Sequence, residues 1–187
     1  MKKQGKLVII SSPSGCGKST VIRAILEHDT QCAYSISATT RAPRKGEVQG
    51  QHYFFMDEAE FRQKIEDHAF IEWAEVHGNL YGTLWEQVDA LLAQGRTVLL
   101  DIDVQGGLAI RKLRPEVILI FLLPPSLKVL ESRLRNRKTD TEIVIEKRLK
   151  KAADEMAVAD RYDYQVINDN LEEAIASVQA IIHTIRH

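Results

Sequence analysis

Residues 6–20 read K-L-V-I-I-S-S-P-S-G-C-G-K-S-T. Lys6–Ser11 is a short apolar, β-branched run closed by small and turn residues, which predicts a buried strand. A helix is expected over Lys18–His28, so residues 12–20 form a strand-to-helix loop, the context that the pattern G-x-x-x-x-G-K-[ST] requires. Gly15 and Gly17 allow backbone N–H groups to turn inward on phosphate oxygens, and the helix start adds partial positive charge. Ser12, Pro13, Ser14, Gly15, Cys16, Gly17, Lys18, Ser19 and Thr20 are therefore the expected ATP-binding loop. Lys18 should reach the β and γ phosphates, and Ser19 should ligand Mg²⁺. A glycine-rich turn with a chance Lys-Ser is the competing account. The pattern's first glycine is Ser12 here, which demands a backbone conformation that serine can adopt. Cys16 fits as a small loop residue, with a redox-sensitive thiol as the alternative.

Further apolar runs at 97–102, 117–123 and 164–168 predict buried strands, and helical patterns separate them. Thr83 and Ser126 offer helix N-terminal caps, and residues 171–185 carry apolar side chains at helical spacing. Strands alternating with helices imply right-handed crossovers and an α/β fold, a parallel sheet flanked by helices on both faces. Between Tyr34 and Tyr81 the texture changes to short alternating runs with turn signals at Gly46, Gly50 and Gly78, which reads as an inserted β-rich lobe. The stretch 133–151 packs basic residues around Thr139-Asp-Thr-Glu142, where a new helix start and a basic lid are expected.

Composition narrows the class. The 187 residues are 44% hydrophobic and 27% charged, as in an ordinary globular domain. The 25 Lys and Arg against 26 Asp and Glu give a formal charge of -1, so neither nucleic acid nor an anionic membrane is indicated as a partner. Two cysteines are too few for a disulfide framework, and no spacing suggests zinc. No apolar run approaches the ~18 residues of a membrane span. A cytoplasmic, soluble protein is expected. Whether it is a monomer or a homo-oligomer is not readable from the chain.

Two arginines three apart, in Ser37-Ala-Thr-Thr-Arg41-Ala-Pro-Arg44-Lys-Gly46-Glu, suit a dianionic phosphate through their planar forks. A solvated basic turn is the alternative, weakened by the phenols and hydroxyls of Tyr53, Tyr81 and Thr83 nearby. Asp101 ends an apolar strand, where many phosphate-loop enzymes place the carboxylate that holds Mg²⁺ or its water; a helix-capping aspartate competes. The D-x-D spacing puts Asp103 on the same side as Asp101 if the strand continues.

Taken together, the loop, the T-T-R-A-P-R-x-G-E stretch, the Y-G-T turn and D-I-D-V-Q-G resemble the guanylate kinase family across about residues 5–183. The resemblance implies a phosphate-loop core over about 5–33, 84–125 and 160–187, a nucleoside-monophosphate lobe over 34–83 and a helical lid over 126–159, within a domain at 5–184. It implies transfer of the ATP γ-phosphoryl group to GMP, with Mg²⁺ as cofactor. Arg41, Arg44, Tyr53 and Tyr81 would then hold the GMP phosphate, and Ser37, Glu72, Thr83 and Asp103 would face guanine. Asp101 would serve the metal through water, and Asn168 and Asp169 would form the adenine-side turn. Arg137 and Arg148 match the arginines of the lid, with Arg133 and Arg135 as weaker matches; with Lys18 and Arg41 they complete the catalytic set. Two other readings stay open: a phosphate-loop kinase with another acceptor, and a binding module of the same fold without catalysis.

Overall fold

The computed structural model describes residues 4–76, 78–136 and 141–187. Nine strands are described: β1 (Lys6–Ser11), β2 (Cys32–Tyr34), β3 (Ala38–Thr39), β4 (Phe54–Phe55), β5 (Phe70–Val76), β6 (Asn79–Leu84), β7 (Thr97–Asp101), β8 (Ile118–Leu123) and β9 (Tyr164–Ile167). The described helices are α1 (Lys18–His28), α2 (Glu58–Glu66), α3 (Trp85–Ala93), α4 (Val104–Leu113), α5 (Leu127–Asn136), α6 (Glu142–Met156) and α7 (Leu171–Arg186). The chain divides into two compact units, residues 1–5 with 33–98, and residues 6–32 with 99–187.

The main sheet has strand order β2-β7-β1-β8-β9, with β1, β8 and β9 paired in parallel. Every residue of β1 after Lys6 is buried. Its alternation sends Val8 and Ile10 into a cluster with Val21 and Ile25 of α1 and Val178 and Ile182 of α7. Ile9 points to the other face, where α4 packs against it. A strand covered on both faces needs a continuous apolar run, which is what residues 7–10 supply. Each such fully buried Ile or Leu contributes roughly 1.5–3 kcal/mol.

The unit spanning 33–98 holds a smaller sheet, order β4-β3-β6-β5, in which β6 runs antiparallel to both β3 and β5. Beneath it Phe61, Phe70, Leu80 and Leu84 form a separate core, with Phe61 and Phe70 stacked at 4.3 Å. Phe61 comes from α2, a helix that the alternating texture of this region concealed. Asp57 caps it by accepting from the Glu60 N–H at 2.7 Å.

Two sequence expectations need correction. Thr83 is no helix cap: it lies in β6, and α3 opens after Leu84 without a side-chain cap. Strand β7 stops at Asp101, so Asp103 is not on a continuing strand; it is the N-cap of α4, accepting from the Gly106 N–H at 2.8 Å. The helix start expected in the stretch 139–142 falls there, α6 opening at Glu142 with Thr141 as an N-cap that makes no side-chain bond, while Thr139 and Asp140 lie outside the described residues. Ser126 does cap α5, its hydroxyl accepting from the Val129 N–H at 3.2 Å. None of the described helices is long and apolar enough to cross a membrane.

Candidate active site

The loop between β1 and α1 wraps a cavity of about 420 Å³ that residues 12–20 line together with Asp101, Asp103, Lys151 and Glu155. Gly15 and Gly17 take φ of 93° and 85°, the left-handed region that side chains resist. Ser12 is not among the described residues with positive φ, so serine is accommodated in ordinary backbone where the pattern has glycine. Gly17 also sits where a Cβ would come 2.8 Å from Asn168 Nδ2. As the N-cap of α1 it offers no side chain to the helix's first N–H groups, which leaves those of Lys18 and Ser19 available to an anion, while that of Thr20 donates to the Gly17 carbonyl at 3.1 Å.

Lys18 Nζ lies 2.6 Å from Asp101 Oδ1 and 3.5 Å from the Ile102 carbonyl. The Ser19 hydroxyl donates to Asp101 Oδ2 at 3.3 Å. A hydroxyl and a carboxylate at the mouth of a phosphate cavity are the hard oxygen donors that Mg²⁺ prefers, with waters and phosphates completing its shell. That fit needs no cage of protein carboxylates, and among the described residues no group of three or more His, Cys, Asp or Glu could form one.

On the far side of the loop a smaller cavity of about 200 Å³ is lined by residues that include Arg133, Asn168, Asp169 and Leu171. Asn168 is buried at the end of β9 and its Nδ2 donates to the Cys16 carbonyl at 2.6 Å. Arg133 donates to the carbonyls of Asn168 at 2.9 Å and Asp169 at 3.3 Å. The weaker lid candidate Arg133 thus belongs to the turn at 168–169. Burial pushes the Cys16 thiol up to about 11, against the opposing charges of Arg133 and Lys18. Buried and donating to the Leu122 carbonyl at 3.5 Å, the thiol fits the account of Cys16 as a small loop residue better than the redox-sensitive one.

Helices α5 and α6 share a core of Leu130, Leu134, Ile145 and Ala152. Arg135 is clasped between Glu131 and Glu142, bonds that raise its already high pKa and commit it to joining the helices. Arg137 lies outside the described residues. Arg148 is half-buried on α6, while Lys151 and Glu155 of the same helix reach the phosphate cavity. Burial raises the Glu155 carboxyl, partly countered by Lys151 at 3.5 Å.

In the unit spanning 33–98, Arg41 is enclosed. Its guanidinium stands 5.4 Å from the Tyr53 ring centre and 5.9 Å from that of Phe55, it hydrogen-bonds Glu47, and the nearby Tyr81 phenol also favours its charge. The Arg41–Glu47 pair closes at 2.8 Å, and the other Glu47 oxygen accepts from the Arg44 N–H at 2.7 Å. These bonds pull the Glu47 carboxyl down to about 2. Arg44 itself is exposed, and Ser37 is half-buried. Glu72 and Thr83 are direct partners across the β5–β6 hairpin, where Thr83 Oγ1 donates to Glu72 Oε1 at 2.8 Å. Ile71 makes that register, because the pairing shifts by one residue between Phe70 and Glu72. Sequence reasoning assigned no role to Glu47, Lys151 or Glu155. For Glu47 a signal existed: Gly46, with φ 91°, turns the chain back so that the carboxylate meets both arginines.

The mostly parallel, helix-flanked sheet with a glycine loop entering α1 defines a phosphate-loop nucleotide-binding protein. The comparisons narrow this. The family model described as guanylate kinase matches residues 4–185. The guanylate kinase of Bacillus subtilis is 49% identical over 183 residues, 97% of this chain and 90% of that protein. That of Caldanaerobacter subterraneus subsp. tengcongensis is 47% identical over 182 residues, 97% and 88% respectively. A crystal structure of guanylate kinase from Anaplasma phagocytophilum superposes with a TM-score of 0.70 at 34% identity, covering 99% of this chain and 88% of that one. The chain belongs to the guanylate kinase family.

Proposed function

We propose that this chain transfers the γ-phosphoryl group of ATP to GMP, releasing ADP and GDP. Family membership gives the reaction, and the observation that carries the site assignment is the enclosure of Arg41 by Glu47, Tyr53 and Tyr81. An arginine fixed among phenols is a preorganised receptor for the acceptor phosphate, with Arg44 beside it. Glu72, held by Thr83, offers a carboxylate to the N1–H and N2–H₂ donors of guanine, with Ser37 in the same unit adding a hydroxyl. Adenine has an acceptor where guanine has N1–H, so it would leave the carboxylate without a donor.

An oxygen of the GMP phosphate attacks the γ phosphorus, and the bond from that phosphorus to the β–γ bridging oxygen breaks. The acceptor oxygen is already anionic at neutral pH, so no general base is required. Positioning and charge neutralisation supply the rate. The Lys18 side chain and the N–H groups of Gly15, Gly17, Lys18 and Ser19 receive the donor phosphates, and Arg148 on α6 supplies further positive charge. Ser19 and, through water, Asp101 would hold Mg²⁺, which neutralises phosphate charge when bound. The turn at Asn168 and Asp169 receives the adenine end. A cytoplasmic location fits two buried cysteines that are not joined in a disulfide. The reading is tested by ADP release from Mg·ATP with GMP, against AMP as acceptor; equal rates with both would contradict it.

A further inference from the structure

Two buried hydroxyls hold the turn that carries Asp101 and Asp103. Ser11, fully buried at the end of β1, donates from Oγ to the Ile102 carbonyl at 2.8 Å and lies 3.4 Å from the Asp103 carbonyl. Tyr162 follows the 3₁₀ turn Ala159–Arg161 after α6, and its hydroxyl reaches the Val104 carbonyl at 3.5 Å and the Ser11 hydroxyl. Its ring stands edge-on to Phe121 at 4.9 Å. Both hydroxyls lie close against Gly107: a Cβ there would stand 3.0 Å from Tyr162 Oη and 3.2 Å from Ser11 Oγ, tight enough to press on both. Ile102 O also receives Lys18 Nζ at 3.5 Å, so one carbonyl joins the core hydroxyls to the phosphate-loop lysine.

We propose that Ser11 and Tyr162 are positioning residues for phosphoryl transfer, fixing the backbone of 102–104 and hence the direction in which Asp101 and Asp103 enter the phosphate cavity. The inference rests on the kinase reading above. Between Asp101, where the strand ladder ends, and Asp103, whose carbonyl accepts the Gly107 N–H at 2.9 Å, the Ile102 carbonyl is met by the side-chain donors Ser11 and Lys18. Each hydroxyl has one proton, which Ser11 gives to the Ile102 carbonyl and Tyr162 to the Val104 carbonyl. Without these hydroxyls β7 and α4 persist, but the turn between them loses its registration. A small misplacement of reacting groups costs rate far more than it costs ground-state binding.

The test uses the full chain with Tyr162→Phe, Ser11→Ala and Gly107→Ala, each assayed well below its melting midpoint. Coupled ADP release gives kcat and KM for GMP and ATP, and titration with a fluorescent ATP analogue in the absence of GMP gives donor affinity. Expected is a fall in kcat of about tenfold in Tyr162→Phe and more in Ser11→Ala, with analogue affinity within about twofold. Gly107→Ala should reproduce the loss with both hydroxyls present. Adding Tyr162→Phe to it should do no further harm, because the methyl then occupies vacated space. Unchanged kcat in Tyr162→Phe, which removes a single oxygen and keeps the ring packing, overturns the inference even if Ser11→Ala fails to fold. A lowered melting midpoint with unchanged kcat overturns it equally. Wild-type protein that releases no ADP from GMP and ATP overturns the kinase reading instead.

Discussion

Lys18 Nζ stands 2.6 Å from Asp101 Oδ1, with Ile102 O as its second partner. The ammonium that should meet the donor phosphates is thus held at the cavity by the carboxylate proposed to serve the metal. Lys18→Met removes a preorganised charge from the transferring group, so kcat should fall by about 10²–10³. Steady-state ADP release measures this, and a loss smaller than tenfold would remove Lys18 from the reaction.

Glu47 fixes Arg41 while also accepting from the Arg44 N–H. Glu47→Ala should raise KM for GMP by about tenfold, the scale of one charge-assisted hydrogen bond, and leave KM for ATP unchanged. The pH dependence has a definite sign. The folded pKa is depressed to about 2, so the pair's contribution is complete above the ordinary carboxylate range and fades as pH falls toward 2. KM for GMP should therefore show no titration attributable to Glu47 between pH 5 and 8. A step in that interval that disappears in Glu47→Ala would contradict the geometry.

Cys16 and Cys32 are both buried, and burial raises each thiol to about 11. Iodoacetamide at pH 8 should label neither in the native protein and both after denaturation, as read by intact mass. Rapid native labelling of Cys16 would restore the redox-sensitive alternative.

Asn168→Leu leaves the buried Cys16 carbonyl without its donor and should cost about 1–3 kcal/mol of stability. Chemical denaturation measures the loss. A variant as stable as the wild type would show that the 2.6 Å bond holds nothing in place.

Much of the core was legible from local pattern. An apolar run, a glycine loop and a helical period locate β1, the phosphate loop and α1, because each is specified by neighbouring residues. Glu72 was not legible from periodicity, because the extra residue Ile71 breaks the two-residue alternation from which strand facing is read. Helix α2 hid among short alternating runs despite the Asp57 cap. Asp103 was misplaced because D-x-D fits a continuing strand as well as a strand end followed by a cap. Contacts such as Asn168 to Cys16 join residues far apart in the chain and leave no local trace.

The guanine set yields the sharpest single-site expectation. Glu72→Gln replaces one acceptor oxygen by an amide donor opposite the guanine N–H groups, so kcat/KM for GMP should fall by at least tenfold while ATP-analogue affinity stays unchanged. Retained GMP kinetics would take Glu72 out of the acceptor site.

The most direct test of the central claim is the rate of ADP release from Mg·ATP by the unmodified protein with GMP, AMP, CMP and UMP in turn. Turnover with GMP that exceeds every other acceptor by at least about a hundredfold is the predicted result. Equal turnover with AMP, or none with GMP, would contradict it.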